Sequence, residues 1–553
     1  MEHPTDQASN YGRRRSRPNL VLSGKEDPSL ATSGTFLSGR HSSVGAAVRS
    51  EWFVSFFVLF ALYISPLQAA DNEASAAAAN KLTERTVVTE HDVTIAGHAI
   101  AYTATAGTLL LKDDAGQPTA EMFYVAYTQN KIADSSRRPL TFAFNGGPGS
   151  SSVWLHLGLL GPQRVKLATD GRASGPPYHV EDNPYSLLDV TDLVMIDPVS
   201  TGFSRAATAK DAKQFHGYEA DIHSVGDFIR LYVTKNNRWL SPKFLIGESY
   251  GATRAAGLAG YLQDHHRMYL NGVLLVSPAL NFQTISFDEG NDLPYALFLP
   301  TYTASAWYHK RLDADLQKDL EKAVAAASEF AQGPYTLALM QGDRLPAAER
   351  DQIAKQLARF CGLSVEYVQR SNLRVEAMRF TKELLRDERR TVGRFDSRFS
   401  GSDRDAVGET AEYDPSGAEL FGAFTAAIND YLRRELAFDE DRPYEVLTGD
   451  VHPWDFDRFE NRYVDPSESL RRAMTVNPHL RLFVASGYYD LATPLLATEY
   501  SVHHLQLAPA LIEHVTQHRY EAGHMMYINE SSLDKLRQDL ASFYQSASAS
   551  RDQ

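Results

Sequence analysis

One pentapeptide constrains this chain more than any other segment: Gly247-Glu248-Ser249-Tyr250-Gly251, which follows the apolar run Lys243-Phe244-Leu245-Ile246 and precedes the helix-forming stretch 252–262. The pattern predicts a strand, a sharp turn and a helix, with small residues flanking a serine whose hydroxyl is held clear of the backbone. Alone, the pentapeptide is a weak signal. Two further residues give it weight through their order: Asp490, just beyond the apolar run 482–486, and His524, in Glu521-Ala522-Gly523-His524-Met525. A serine, an acid and an imidazole are the parts of an activated nucleophile, its orienting group and its general base.

The surrounding periodicity sets the fold class. Apolar runs at Leu140–Phe144, Asp192–Ile196, 244–246 and 273–276 alternate with helical stretches, which predicts an α/β fold with a mostly parallel, buried sheet flanked by helices. Ahead of them, residues 87–128 alternate and carry turn signals at Ala96-Gly97 and Asp113-Asp114-Ala115-Gly116, so antiparallel hairpins are expected at the leading edge of the sheet. One helix aligns Ile222, Val225, Phe228, Ile229 and Tyr232 on a single face, and the last aligns Leu533, Leu536, Leu540 and Phe543. Between 282 and 478 helical spacing takes over, as in Leu316, Leu320, Val324 and Ala327 or Leu420, Phe424, Ile428 and Leu432. This predicts a helical cap inserted over the site. The expected organisation is a tail and leader at 1–70, the first part of the core at 71–281, the cap at 282–478 and the rest of the core at 479–553.

Charge and composition exclude several function classes. With 553 residues and a net charge of −14, the chain is poorly suited to phosphate backbones, whose binding depends on neutralisation by Lys and Arg, so no nucleic-acid partner is expected. The basic run Arg13-Arg14-Arg15-Ser16-Arg17 reads as part of a disordered arm, and the Arg-rich stretch 386–404 as a solvated surface loop. Residues 52–64 form an apolar core preceded by Arg49 and followed by Ser65-Pro66-Leu67-Gln68-Ala69-Ala70, the pattern of a signal peptide cleaved near Ala69 or Ala70. It is shorter than the roughly 20 residues of a stable membrane span, so export without a permanent anchor is expected. The polar sequence before it is too long for a normal leader and points to a translation start near Val48. Cys361 is the only cysteine, which rules out an intrachain disulfide and reads as a free structural thiol.

Four segments together resemble the serine carboxypeptidase family of the α/β-hydrolase superfamily. They are Phe144-Asn145-Gly146-Gly147-Pro148-Gly149-Ser150-Ser151-Ser152; Asn183-Pro184-Tyr185-Ser186 leading to Asp197-Pro198-Val199-Ser200-Thr201-Gly202-Phe203-Ser204; the Ser249 pentapeptide; and Gly523-His524-Met525. The chain order Ser, Asp, His is also that of the superfamily. The resemblance implies an α/β-hydrolase fold, a Ser249–Asp490–His524 triad, and an oxyanion hole made by the backbone N–H groups of Gly147 and Tyr250. It implies removal of C-terminal residues from peptides through an acyl-enzyme.

An exopeptidase must also recognise a free α-carboxylate. By the same resemblance this falls to Asn145, the N–H of Gly146 and Glu248, helped by a second glutamate whose position is taken here by Leu159. Two carboxyls sharing a proton keep one neutral, whereas Glu248 alone depends on desolvation. Arg254, one turn into the helix after Ser249, is a candidate substitute because a guanidinium holds a carboxylate bidentately. Tyr250, Trp154 and Met525 are candidate lining groups, each equally explicable as core. His514 and His518 have the spacing of metal ligands on a helix, but their neighbours suit a strand, and neither a metal nor a cofactor is expected. The altered clamp keeps open an esterase or acyltransferase on the same scaffold; a non-catalytic binding protein is disfavoured by the presence of all three triad residues.

Overall fold

The computed structural model describes residues 82–548, and the leader, its cleavage site and the basic run lie outside them. The polypeptide enters through three antiparallel strands, β1 (Thr86–Ile95), β2 (His98–Lys112) and β3 (Pro118–Gln129). Six strands then run parallel: β4 (Leu140–Phe144), β5 (Asp192–Ile196), β6 (Lys243–Glu248), β7 (Gly272–Val276), β8 (Arg481–Gly487) and β9 (Val515–Tyr520). The ten-stranded sheet has the order β1-β2-β3-β5-β4-β6-β7-β8-β9, with the two-residue strand Arg205–Ala206 pairing β3. β3 meets β5 antiparallel, and every later pair is parallel. Residues 140–144 and 192–196 are buried throughout, as befits central strands covered on both faces.

The expected helices cover those faces. On one side lie α1 (Tyr218–Lys235), with Ile222, Val225, Phe228, Ile229 and Tyr232 in the core, and α2 (Tyr250–His266), which starts at the serine elbow. The stretch expected as one cap divides by packing. α3 (Leu293–Tyr308), α4 (Leu320–Phe330) and α5 (Ala347–Cys361) build a separate apolar core. α6 (Pro415–Asp430) instead packs Leu420, Phe424 and Ile428 into the second face of the main sheet, and α7 (Ser467–Val476) lays Leu470, Ala473 and Met474 against the α1/α2 face. Helix periodicity gave the existence of α4 and α6 but not their partners, because an amphipathic stripe does not say which apolar surface it will meet. α8 (Leu495–His503) joins the cap core, and the C-terminal helix α9 (Glu530–Ser548) buries Leu533, Leu536, Leu540 and Phe543 as expected. Cys361 is buried, and burial pushes its thiol up to about 12, which suits an inert structural residue.

A buried ionic cluster anchors the end of the sheet remote from the serine. Asp192, at the start of β5, accepts from Arg138 Nε at 2.6 Å and Arg238 Nη1 at 2.5 Å, and all three side chains are less than a tenth exposed. Arg238 also donates to the carbonyl of Arg138 at 2.9 Å. Removing the shared carboxylate leaves two desolvated guanidinium groups facing one another. Asp192→Ala is therefore expected to lower unfolding free energy by about 3–5 kcal/mol, read from urea denaturation.

Candidate active site

The strand register brings the candidate residues together. Phe144 of β4 pairs Gly247 of β6, and Glu248 pairs Val276 of β7, so the loops after the three strands leave the sheet side by side. β8 and β9 end at the same level, with Gly487 opposite Tyr520, and deliver Asp490 and His524 to that edge. The carboxyl ends of parallel strands, where strand order reverses between β4 and β6, are where α/β sheets place their sites.

Ser249 sits at the turn between β6 and α2 with φ 61° and ψ −126°, a sterically costly backbone for a residue with a Cβ. The flanking glycines are dictated by close approach: a Cβ on Gly247 would lie 2.1 Å from the carbonyl oxygen of Gly251, and one on Gly251 would lie 2.6 Å from that of Phe144. The Ser249 N–H donates to Val276 O at 3.0 Å, and the next residue of that strand end, Ser277, donates its hydroxyl to His524 O at 2.7 Å. These bonds tie the nucleophile's turn and the histidine's loop to the end of one strand.

Asp490 is fully buried and His524 nearly so. His524 Nδ1 lies 2.8 Å from Asp490 Oδ2 and 3.2 Å from the Thr493 hydroxyl. Asp490 also accepts the N–H groups of Ala492 at 2.8 Å and Thr493 at 2.9 Å, and the Thr493 hydroxyl at 2.7 Å. A carboxylate so supplied with donors is fixed in place and holds the imidazole by Nδ1, which leaves Nε2 for proton exchange. Burial pulls the His524 imidazole down, but Asp490 beside it, with a smaller push from Glu248, leaves it above the usual histidine value.

The glycine-rich loop lies against the elbow. A Cβ on Gly146 would lie 2.4 Å from the N of Tyr250, and Gly147 adopts φ 100°. Tyr250 is the first residue of α2, where backbone N–H groups lack intrahelical acceptors. Asp197 holds the far end of the loop, accepting the N–H and hydroxyl of Ser152, both at 2.8 Å. Asn145 anchors the near end, its Oδ1 accepting the Leu155 N–H at 3.0 Å. Beside Pro148 opens a cleft of about 400 Å³ lined by Phe421, Thr425, Val446, Leu447 and His452. Trp154 packs against Phe421 and Phe424 behind this loop, and Met525 is buried in the main core.

Glu248 is 3% exposed, and burial pushes its carboxyl up to about 7 against the opposing pull of His524, Tyr527 and Asn145. Tyr527 donates its hydroxyl to Glu248 Oε2. Leu159, at the position expected to carry a second glutamate, is wholly buried in apolar core. The substitute expected for it, Arg254, is not available to a substrate. Its Nε donates to Asp221 Oδ2 at 2.8 Å, its Nη1 donates to the backbone O of Asn145 at 2.6 Å, and it is 1% exposed. Arg254 thus braces the loop instead of lining the site, because both of these bonds tie its guanidinium to buried protein groups, Asp221 of α1 and the Asn145 carbonyl.

A second correction concerns the Arg-rich stretch, which is not a solvated loop. Its residues 394–397 are wedged between the loops that carry Asp490 and His524. Leu491 N–H donates to Arg394 O at 3.0 Å, His524 N–H to Phe395 O at 2.6 Å, and Gly523 N–H to Asp396 Oδ2 at 3.0 Å. Asp396 is held in turn by Arg398 at 2.6 Å. Tyr527, Thr493, Asp221 and this wedge are invisible to motif reading, since each acts through a contact remote in sequence. His518 lies on β9, stacked on Phe483 and 3.3 Å from Asp539, as its strand-like neighbours implied. Among the described residues, no group of three or more His, Cys, Asp or Glu is arranged to hold a metal ion.

If Arg254 is a brace, its loss is a stability defect. Arg254→Ala leaves the Asp221 carboxylate buried without its cation, and a drop of about 3–5 kcal/mol in unfolding free energy is expected by chemical denaturation.

Comparison with known proteins bears on the fold and the family. The solved structure of a prohormone-processing carboxypeptidase from Saccharomyces cerevisiae superposes with a TM-score of 0.53 at 17% identity, covering 80% of this chain and 91% of that one. This likeness, at such low identity, establishes the α/β-hydrolase fold. A carboxypeptidase Y homolog from Arthroderma benhamiae is 30% identical over 162 residues, 28% of this chain and 29% of the relative. Serine carboxypeptidase-like 38 of Arabidopsis thaliana is 30% identical over 171 residues, 29% of this chain and 33% of the relative. The chain therefore spans about a third of the length of these curated relatives. The sequence model of the serine carboxypeptidase family matches residues 100–536, and the chain belongs to that family.

Proposed function

We propose that this protein is a serine-type carboxypeptidase that removes C-terminal residues from peptides. The observation that carries the reading is the Asp490–His524 hydrogen bond delivered to the strand edge that bears the strained Ser249 turn, with a buried carboxyl at Glu248 adjoining the serine. In this mechanism Ser249 Oγ attacks the scissile carbonyl while His524 Nε2 takes its proton. Asp490 stabilises the imidazolium. The N–H groups of Gly147 and Tyr250 receive the oxyanion, and collapse expels the amine, which takes the proton back from His524. Water repeats the sequence on the acyl-enzyme and releases the shortened peptide.

Asn145, the Gly146 N–H and neutral Glu248 receive the substrate's α-carboxylate. A protonated Glu248 donates a hydrogen bond to that group; an ionised one repels it. The cleft beside Pro148 takes a substrate side chain, and its apolar lining favours an apolar one. The leader at 52–64 directs the protein out of the cytoplasm, where free peptides are available. An esterase or acyltransferase on the same scaffold is supported only by Leu159, which halves the carboxyl complement of the clamp.

Two experiments test the reading. Ser249→Ala is expected to fold normally, to lose labelling by a serine-directed phosphonate, and to lower kcat by on the order of 10⁶. Retention of turnover by the variant would exclude Ser249 as nucleophile. The second is the pH profile of kcat/KM on peptides with a free C-terminus. Catalysis needs neutral His524, so activity falls as pH drops through its raised value; binding needs neutral Glu248, so activity also falls as pH rises through about 7. A narrow bell is expected, and peptides with an amidated C-terminus are expected to lose its alkaline limb.

A further inference from the structure

The partner that Glu248 has in this chain is a phenol. Tyr527 lies three residues beyond His524, and its hydroxyl donates to Glu248 Oε2. Asn145 acts on both groups, pulling each one's pKa down, and completes a buried cluster of carboxyl, phenol and amide. All three residues are buried. The place for the ring is made by Gly158: a Cβ there would lie 2.4 Å from Tyr527 Cε2 and 2.6 Å from Cδ2. Gly158 immediately precedes Leu159, which turns into apolar core. The same short segment therefore lacks a second carboxyl and opens room for a hydroxyl donor to approach Glu248 from the histidine's loop.

We propose that Tyr527 is a specificity-determining residue, whose hydrogen bond to Glu248 sets the pH at which the site ceases to accept a free α-carboxylate. This rests on the carboxypeptidase reading above. A phenol held in a dry site keeps its proton, and Tyr527 is pushed well above the ordinary tyrosine value by burial and by Glu248. It can donate to Glu248 in either state. The bond to the ionised carboxylate is the stronger one, so the phenol favours ionisation, whereas burial opposes it. In the neutral state Oε2 still accepts from Tyr527, and the carboxyl proton on Oε1 is free to be donated to a substrate carboxylate oxygen. The other titratable groups acting on Glu248 are His524, which favours its ionisation, and Asp490, which opposes it. Both belong to the triad in every variant considered, so the phenol can be changed on its own.

The sign of the effect follows. Tyr527→Phe keeps the ring against Gly158 and removes only the donor, so Glu248 stays neutral to higher pH. The alkaline rise in KM for an N-blocked dipeptide with a free C-terminus is expected to move up by about one pH unit, so that one unit above the wild-type inflection KM is about fivefold lower than in wild type. Gly158→Ala, which displaces the ring while leaving the hydroxyl present, is expected to move the inflection the same way. An unmoved inflection in Tyr527→Phe overturns the inference. If wild type itself hydrolyses esters but no free-acid peptide, the carboxypeptidase reading falls, and this inference with it. A wild-type inflection that Tyr527→Phe leaves in place removes this inference alone.

Discussion

The close approach of two backbone turns is the constraint on which the site depends. The Ser249 turn and the Asn145-Gly146-Gly147 loop meet with so little space that no Cβ is tolerated at Gly146, Gly247 or Gly251. This proximity sets the N-terminus of α2 and the glycine loop side by side at the serine turn. It also explains the tolerance of an unfavourable φ at Ser249: the Ser249 N–H and O are both engaged, by Val276 and Ala279, and the turn is enclosed by buried strands on either side.

Buried charge supplies the rigidity that the turns need. Asp221, Arg254 and the Asn145 carbonyl form a chain from α1 through α2 to the glycine loop, and Asp197 grips the other end of that loop through Ser152. Burial pushes the Asp197 carboxyl up to about 6 and raises that of Asp221, with Arg254 opposing the rise at Asp221. Desolvated groups of this kind contribute little net stability relative to apolar packing. Their bonds are directional, and they define where a backbone carbonyl or N–H points to within a few tenths of an ångström.

The region between 282 and 478 is more than a cover. Its segment 394–397 bonds to the loop carrying Asp490 and to the loop carrying His524, while Tyr488, Tyr489 and Leu491, which flank the acid, pack into the cap core. The orientation of acid and base is thereby coupled to the packing of the cap. The 446–448 stretch pairs with the glycine loop at Ser150 and walls the cleft beside Pro148. Surroundings of Asp490 and His524 and walls of the cleft beside Pro148 thus come from the part of the chain whose function was least apparent in sequence.

Residues whose work is done by the backbone next to them were legible without coordinates. The elbow glycines, the parallel strands at 140–144 and 192–196, and the core faces of α1 and α9 follow from local sterics and from the periods of strand and helix, which neighbouring residues carry by themselves. The order of Ser249, Asp490 and His524 was equally plain. Arg254 marks the limit: one turn beyond the nucleophile it looked like an anion ligand, and only the packing of α1 against α2 shows it turned onto Asp221. Tyr527 and the 394–397 wedge are the converse, ordinary in sequence and central in space. Local geometry is written in short-range steric and periodic patterns, whereas the partner of a buried polar group depends on which distant surfaces the folded chain brings within about 3 Å, and that was decided by tertiary structure alone.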